Sequence, residues 1–410
     1  MKRDHLIALA FAAMLPAMCG ATYMEAPAMD DNGVVCPDST GFKFTDVKIL
    51  PTTSVKDQNK SGTCWAFSGV SALEDEVLRQ GGPALDLSEM FIVRQNYIDK
   101  AKKYMRLDGK LNFAQGGGFA DVLTVLDEYG IVPEEVYSGL NYGEEKHMHY
   151  EMADALKGYL DGVMRVGNKR LSEAWLPGFI GILDAYLGKL PETFVYNGKT
   201  YTPKEFAKSI GLDARKYKSY TSYTHHPFYT TFPLEIPDNW RWADSYNVTM
   251  EDMKQMVDTA LDKGYTVAWA ADVSEPTFKW KEGYALLPEK KTQADMDGTE
   301  LARWVKLSDE DRKKSENEVK GPVKERVITQ ADRQKTFDNR ETTDDHGMVI
   351  VGYAKDQEGN RYYKVKNSWD TNQIYDGYIY VSEPYFLEKT LAVMINDDAV
   401  PQQITKKFTR

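Results

Sequence analysis

Apolar residues Ala66, Val70, Leu73 and Val77 recur at four-three-four spacing, which predicts a helix over 64–80 with one buried face. Gly81-Gly82-Pro83 stops it. "LSEMFIVRQNYIDKAKKYM" (87–105) predicts a second amphipathic helix, with Ser88 placed to cap its N-terminus. "GGGFADVLTVLDEYG" (116–130) predicts a third, closed by Gly130. From about 144 to 235 the pattern stays mainly helical and rich in Tyr, Lys and Glu. "MEDMKQMVDTALDKG" (250–264) then predicts a helix and "YTVAWAADV" (265–273) a strand. Residues 288–340 are so charged that loops and a solvated helix are expected. "HGMVIVGYA" and "RYYKVKNSW" read as strands joined by "KDQEGN", with turn chemistry at Glu358-Gly359-Asn360, and "GYIYVS" (377–382) as a further strand. Residues 22–54 look irregular. Helices first and a β-meander last make an α+β arrangement.

The hairpin has a register consequence. Centring it on residues 357 and 358 sets position 346 opposite about 369, so Asn367 lies within two residues of His346 across the ladder.

Composition narrows the class. With 410 residues and 42% apolar content, the chain can bury one large domain, or a core with a big insertion. Its net charge is −11, and its most basic stretch, 303–340, is also rich in Asp and Glu. A phosphate backbone asks for a basic face, so nucleic acid is not an expected partner. Lys2 and Arg3 precede "LIALAFAAMLPAM" and then "CGA", which reads as an export signal over 1–21. The mature domain, 22–410, is then expected to be periplasmic, secreted or lipid-anchored, with membrane attachment only if Cys19 is lipidated. No other stretch approaches ~20 apolar residues. Three cysteines are too few for a disulfide-built fold, so Cys64 reads as a free thiol kept for its chemistry.

Cys64 opens a helix, where unpaired N–H groups and the positive dipole end favour a thiolate. An imidazolium partner would favour it further. Of six histidines, His5 lies in the signal, and His147, His149, His225 and His226 lie in stretches without strand pattern. His346 alone sits at the mouth of an apolar strand, with Asn367 placed to accept from its ring N–H and hold the tautomer. Singly, a cysteine is more often a buried hydrophobe and a strand histidine a satisfied polar group. Their joint pattern is harder to dismiss.

"DQNKSGTCWAFS" resembles the nucleophile segment of the papain family of cysteine proteases, "DDHGMVIVGY" its histidine strand and "KNSW" its asparagine segment. "LSEMFIV", "QGGGFADVLTVLDEYGIVPEEVY" and "GYIYV" follow the family in order. The resemblance implies a papain-like two-lobed core: a helical lobe bearing Cys64 and a β-barrel-like lobe bearing His346 and Asn367. It implies Cys64 as nucleophile, His346 as base and then acid, and Asn367 as the group orienting His346. Gln58 and the Cys64 backbone N–H would hold the oxyanion. Trp369 would cover the His346–Asn367 pair, and Gly116 and Gly117 would let substrate backbone approach. Trp65 and Asp345 are expected at the substrate cleft as well.

Two departures place the branch. Ser61 stands where papain-like members usually carry a disulfide-bonded cysteine, and 282 residues separate Cys64 from His346, about twice the usual papain spacing. Both features resemble the bleomycin hydrolase and aminopeptidase C branch, with its large, mainly helical insertion, here expected at about 144–235, plus a charged insertion at about 288–340. That branch threads a C-terminal carboxylate arm into its cleft and is typically an intracellular hexamer. The basic end "VPQQITKKFTR" would instead repel an ammonium group, so exopeptidase and endopeptidase action both stay open, the latter through an open cleft. A homo-oligomer is an expectation from the family alone. The substrate would be a peptide or protein, and no cofactor or metal is expected. His225 and His226 are adjacent and would point apart. A catalytically inactive binding or scaffold protein is the main alternative. A transglutaminase-type acyltransferase would want Asp where Asn367 stands. The sequons at Asn59 and Asn247 read as chance.

Overall fold

The computed structural model describes residues 34–35 as backbone, then 41–165, 170–289, 302, 305–308 and 317–409. The export signal, Cys19, Cys36 and much of the charged 288–340 stretch lie outside them. No helix among the described residues is long and apolar enough to cross a membrane.

The helical half begins with α1 (Cys64–Arg79), α2 (Glu89–Arg106) and α3 (Phe119–Glu128). Ser88 caps α2, its Oγ accepting the Phe91 N–H at 3.0 Å. Gly130 lies just past α3 with φ +87°, the left-handed conformation that closes a helix without Cβ strain. Helix α1 is not half-solvated, as its period predicted: every residue from Trp65 to Val77 is buried. It is wedged between α2 and α3 on one side and the sheet on the other. Its acidic positions are buried against donors from the rest of the fold. Glu74 accepts from the Leu87 N–H at 2.7 Å and the Thr53 hydroxyl at 2.5 Å, and Asp75 Oδ1 accepts from the Thr53 N–H at 3.0 Å.

The insertion contributes α4 (Tyr150–Met164), α5 (Trp175–Leu187) and α6 (Pro203–Ser209), which pack their apolar stripes into the core of α1–α3. Its helical reading fails in part. A small hairpin, β3 (Phe194–Tyr196) with β4 (Lys199–Tyr201), interrupts the helices. Past residue 216 the chain forms β5 (Tyr217–Thr221), β6 (Thr231–Pro233) and, beyond the insertion, β7 (Asp244–Asn247). Short strands among Tyr, Ser and Thr carry too little period to be told from helix.

These strands extend one large sheet with β8 (Val267–Ala271), β9 (Phe278–Lys279), β10 (Tyr284–Ala285), β11 (His346–Lys355), β12 (Arg361–Lys366), β13 (Tyr378–Ser382) and β14 (Thr390–Asn396). Its order is β6-β7-β5-β14-β8-β11-β12-β13-β10-β9. Helix α7 (Met250–Asp262) packs on it. β11 is the central strand, with β8 beside its first half and β2 (Phe44–Ile49) beside its second. β2 falls in the stretch read as irregular, and β1 (Val34–Val35) pairs with it. Among the described residues no pairing closes the path into a barrel. At the far end Lys407 Nζ meets Asp252 Oδ2 at 2.6 Å, and Phe408 packs among Tyr220, Tyr229 and Tyr246.

Candidate active site

The β11–β12 register pairs Val349 with Lys366 and Ile350 with Val365. Continued toward the strand end, it sets His346 opposite Trp369, with Asn367 two residues away across the ladder. His346 Nε2 lies 2.6 Å from Asn367 Oδ1, which also accepts the Ser368 N–H at 2.8 Å. Nδ1 is thereby the ring nitrogen left for other work. The Trp369 ring stacks on His346 with centroids 4.4 Å apart.

Cys64 is the first residue of α1, and the backbone N–H groups of Trp65 and of Gly347, the neighbour of His346, act to lower its thiol's pKa. The thiol of the helical half therefore meets the histidine strand of the sheet half. Gly347 permits the approach: a Cβ there would sit 2.6 Å from Ser68 Oγ and 3.3 Å from the Cys64 carbonyl oxygen. Burial pushes the thiol up to about 12, against the two N–H bonds, and burial pushes the imidazole down to about 4, against the Asn367 bond. Desolvation thus opposes the helix terminus and disfavours the charged form of both groups.

Gln58 ties the halves together. Its Oε1 accepts the Ser368 hydroxyl at 2.7 Å and its Nε2 donates to the Ser61 carbonyl at 2.8 Å, so the amide is held with its donor end toward the Cys64 loop. Backbone pairing reinforces this, with the Gln58 N–H on Ser368 O at 2.9 Å and Asp57 bridged to Trp369. Where a disulfide might stand, Ser61 Oγ makes bonds of 2.7 Å to Gln58 O and 2.6 Å to Thr63 Oγ1.

The glycine rim is closely packed. A Cβ on Gly116 would lie 1.9 Å from Asp238 Oδ2, so this glycine makes room for Asp238. Trp65 is buried below Gly117 and anchors the rim by donating from Nε1 to Gln115 O at 3.0 Å. Asp345 is turned toward the end of β8, where it accepts the Val273 N–H at 3.2 Å and the Thr343 hydroxyl at 2.7 Å. Its neighbour Asp344 is the one whose carboxylate acts on the Cys64 thiol, together with Asp238.

Asp238 and Asp344 escaped the sequence reading, having no motif to announce them. His147 and His149 were placed in polar stretches, yet both are buried against the Cys64 half, which pushes their imidazoles down to about 4 and 3. His225 and His226 do not point apart. Stacked on Phe337 and Phe232, both turn Nε2 onto Glu235, at 2.9 and 3.0 Å. These three donors lie within 4.8 Å of one another and could hold a transition-metal ion. Asn247 is fully buried, its Nδ2 donating to three carbonyls, which suits a chance sequon.

Comparison with known proteins covers both halves of this site. The family model described as Papain family cysteine protease matches residues 42–168, and that described as Peptidase C1-like family matches 323–410. The chain belongs to the papain-like cysteine peptidases. Within them it is similar to Aminopeptidase C of Lactobacillus delbrueckii subsp. lactis, 23% identical over 88% of this chain and 83% of the relative. It is also similar to mitochondrial Cysteine proteinase 1 of Saccharomyces cerevisiae (strain JAY291), 21% identical over 89% of this chain and 79% of the relative. The crystal structure of PepW from Lactobacillus rhamnosis HN001 shares the papain-like fold with a TM-score of 0.68, at 19% identity over 89% of this chain and 84% of that one.

Proposed function

We propose that Cys64, His346 and Asn367 hydrolyse peptide bonds through a covalent thioester, with Gln58 as an oxyanion donor. The observation that supports this reading is the close packing of Gly347 on the Cys64 backbone, where an added Cβ would lie 3.3 Å from the Cys64 carbonyl oxygen, beside a His346 ring held by Asn367 at 2.6 Å. The sulfur attacks the peptide carbonyl carbon as its proton passes to His346 Nδ1. The oxyanion accepts from the Cys64 N–H and from the second proton of Gln58 Nε2. A donor of this kind contributes roughly 3 kcal/mol in the transition state. The tetrahedral species collapses, the amine leaves with the proton from His346, and the thioester remains. Water, deprotonated by His346, then attacks the thioester and releases the acid and the thiol. Asn367 fixes the tautomer throughout, and Trp369 keeps water from its hydrogen bond.

Cys64→Ala is expected to lose all measurable cleavage of fluorogenic peptides and all labelling by an epoxide thiol-protease inhibitor. Gln58→Ala should keep the label and lower kcat by about 100-fold or more. Labelling that persists in Cys64→Ala, or a full rate in Gln58→Ala, would remove the corresponding role.

A further inference from the structure

His225 and His226 lie on the connection between β5 and β6, and Glu235 stands two residues past β6. Adjacent side chains usually diverge, yet these two converge, with ring centroids 4.8 Å apart and planes crossing at 63°. His225 Nε2 lies 2.9 Å from Glu235 Oε2, and His226 Nε2 lies 3.0 Å from Oε1. Aromatic neighbours hold both rings. Phe232 stacks on His226 at 4.1 Å and 22°, and Phe337 of helix α8 (Gln330–Asp338) lies along His225 at 5.8 Å and 16°. Gln334 of the same helix supports His225 from behind. Its Oε1 accepts the Thr224 N–H at 2.5 Å, its Nε2 donates to Asp338 Oδ1 at 2.8 Å, and its amide faces His225 Nδ1, with Nε2 at 3.1 Å and Oε1 at 3.5 Å.

We propose that His225, His226 and Glu235 bind one divalent transition-metal ion of the zinc class, through the two Nε2 atoms and a carboxylate oxygen. The ion clips the β5–β6 connection to the chain that leaves β6. The site uses none of the residues that carry the peptidase reading and stands independently of it.

Spacing, donor chemistry and access all favour an ion here. Zinc bonds of ~2.0–2.2 Å set two tetrahedral donors roughly 3.3–3.6 Å apart. The three donor atoms already lie within 4.8 Å of one another, so a small opening of the exposed Glu235 side chain admits the ion. Two imidazoles with one carboxylate suit zinc, copper, nickel or cobalt, whereas calcium and magnesium take oxygen ligands. The side chains of His225, His226 and Glu235 are 27%, 36% and 58% exposed, which leaves an entry path and a fourth position for water. An ordinary surface ion pair needs only one imidazole, but here two rings face the two oxygens of a single carboxylate. Binding must free the Nε2 lone pairs. For His225 the fold supplies the exchange: the ring proton moves from Nε2 to Nδ1, where Gln334 Oε1 accepts it. That hydrogen bond then fixes the tautomer that ligates.

The test uses the full chain carrying Cys64→Ala, so that the thiol cannot compete for metal. Zn²⁺ is titrated against a chromophoric indicator, and thermal unfolding is followed with Zn²⁺ or Mg²⁺ present. The chain should take up Zn²⁺, and its unfolding midpoint should climb with Zn²⁺ concentration but not with Mg²⁺. With Cu²⁺ as the probe, electron paramagnetic resonance should show coupling to two imidazole nitrogens, falling to one in His226→Gln. His226→Gln and Glu235→Gln should each weaken Zn²⁺ binding by about tenfold or more and abolish the midpoint shift. Should the histidine variant fail to fold, Glu235→Gln, isosteric and exposed, decides alone. No Zn²⁺ uptake, an equal response to Mg²⁺, or an affinity that Glu235→Gln leaves unchanged would overturn the site. None of these readouts is peptide cleavage, so the site and the peptidase reading fail separately.

Discussion

Two sets of carboxylates flank the helix that carries Cys64, and they are satisfied in different ways. Behind it, Asp75 lies 3.6 Å from the Lys366 ammonium, which also bonds the Thr53 carbonyl at 3.2 Å. Glu74 is still pushed up to about 7 by burial, yet Lys56, Lys366, the Leu87 N–H and the Thr53 hydroxyl all pull it back. In front, no cation among the described residues acts on Asp344. The rear group holds α1 against β12 and comes with its own counter-charges. The front group is left without such a counter-charge among the described residues.

The contrast can be broken from either side. The largest effect is expected from Lys366→Met, which strands buried Asp75 and Glu74 and should cost roughly 3–5 kcal/mol, read as a lower denaturation midpoint. A cost under about 1 kcal/mol would mean that this pairing does not hold α1 in place.

Asp344→Asn should act in the opposite sense. The folded carboxyl, raised to about 7 from an ordinary 3.8, keeps a proton that the unfolded chain has lost between those values. Wild-type stability from this group is thus full below pH 4 and falls until pH 7 is passed. The amide variant removes that fall, so it should gain on the wild type as pH rises, by on the order of 2 kcal/mol above pH 7. A constant difference across pH would show that Asp344 is not the strained group.

The smallest effect belongs to Ser61→Ala. It deletes the hydroxyl bonds to Gln58 and Thr63 and should lower stability by about 1 kcal/mol in the same denaturation assay.

Much of this arrangement was legible in the residues. The α1–α3 helices, the Ser88 cap and the hairpin register are local matters of period, capping and pairing, and the register alone predicted His346 beside Asn367. The burial of α1 was not. Its polar positions 74–76 read as a solvated face, because nothing local shows that Thr53, Leu87 and Lys366 will meet them. Asp344 and Asp345 look alike in the string "TTDDHG", and only the folded loop before β11 brings Asp345 to the Val273 N–H beyond β8.

The chain alone, then, determined that a cysteine at a helix start and a histidine–asparagine hairpin are present, since short-range sterics and hydrogen-bond spacing set both. Tertiary structure decided that Gly347 packs on the Cys64 backbone, that Gly116 yields to Asp238, and that a loop between two sheet strands lies across the helical half. Those contacts join residues more than a hundred positions apart. Their energies come from packing and from charges buried together, which spacing along a chain does not encode.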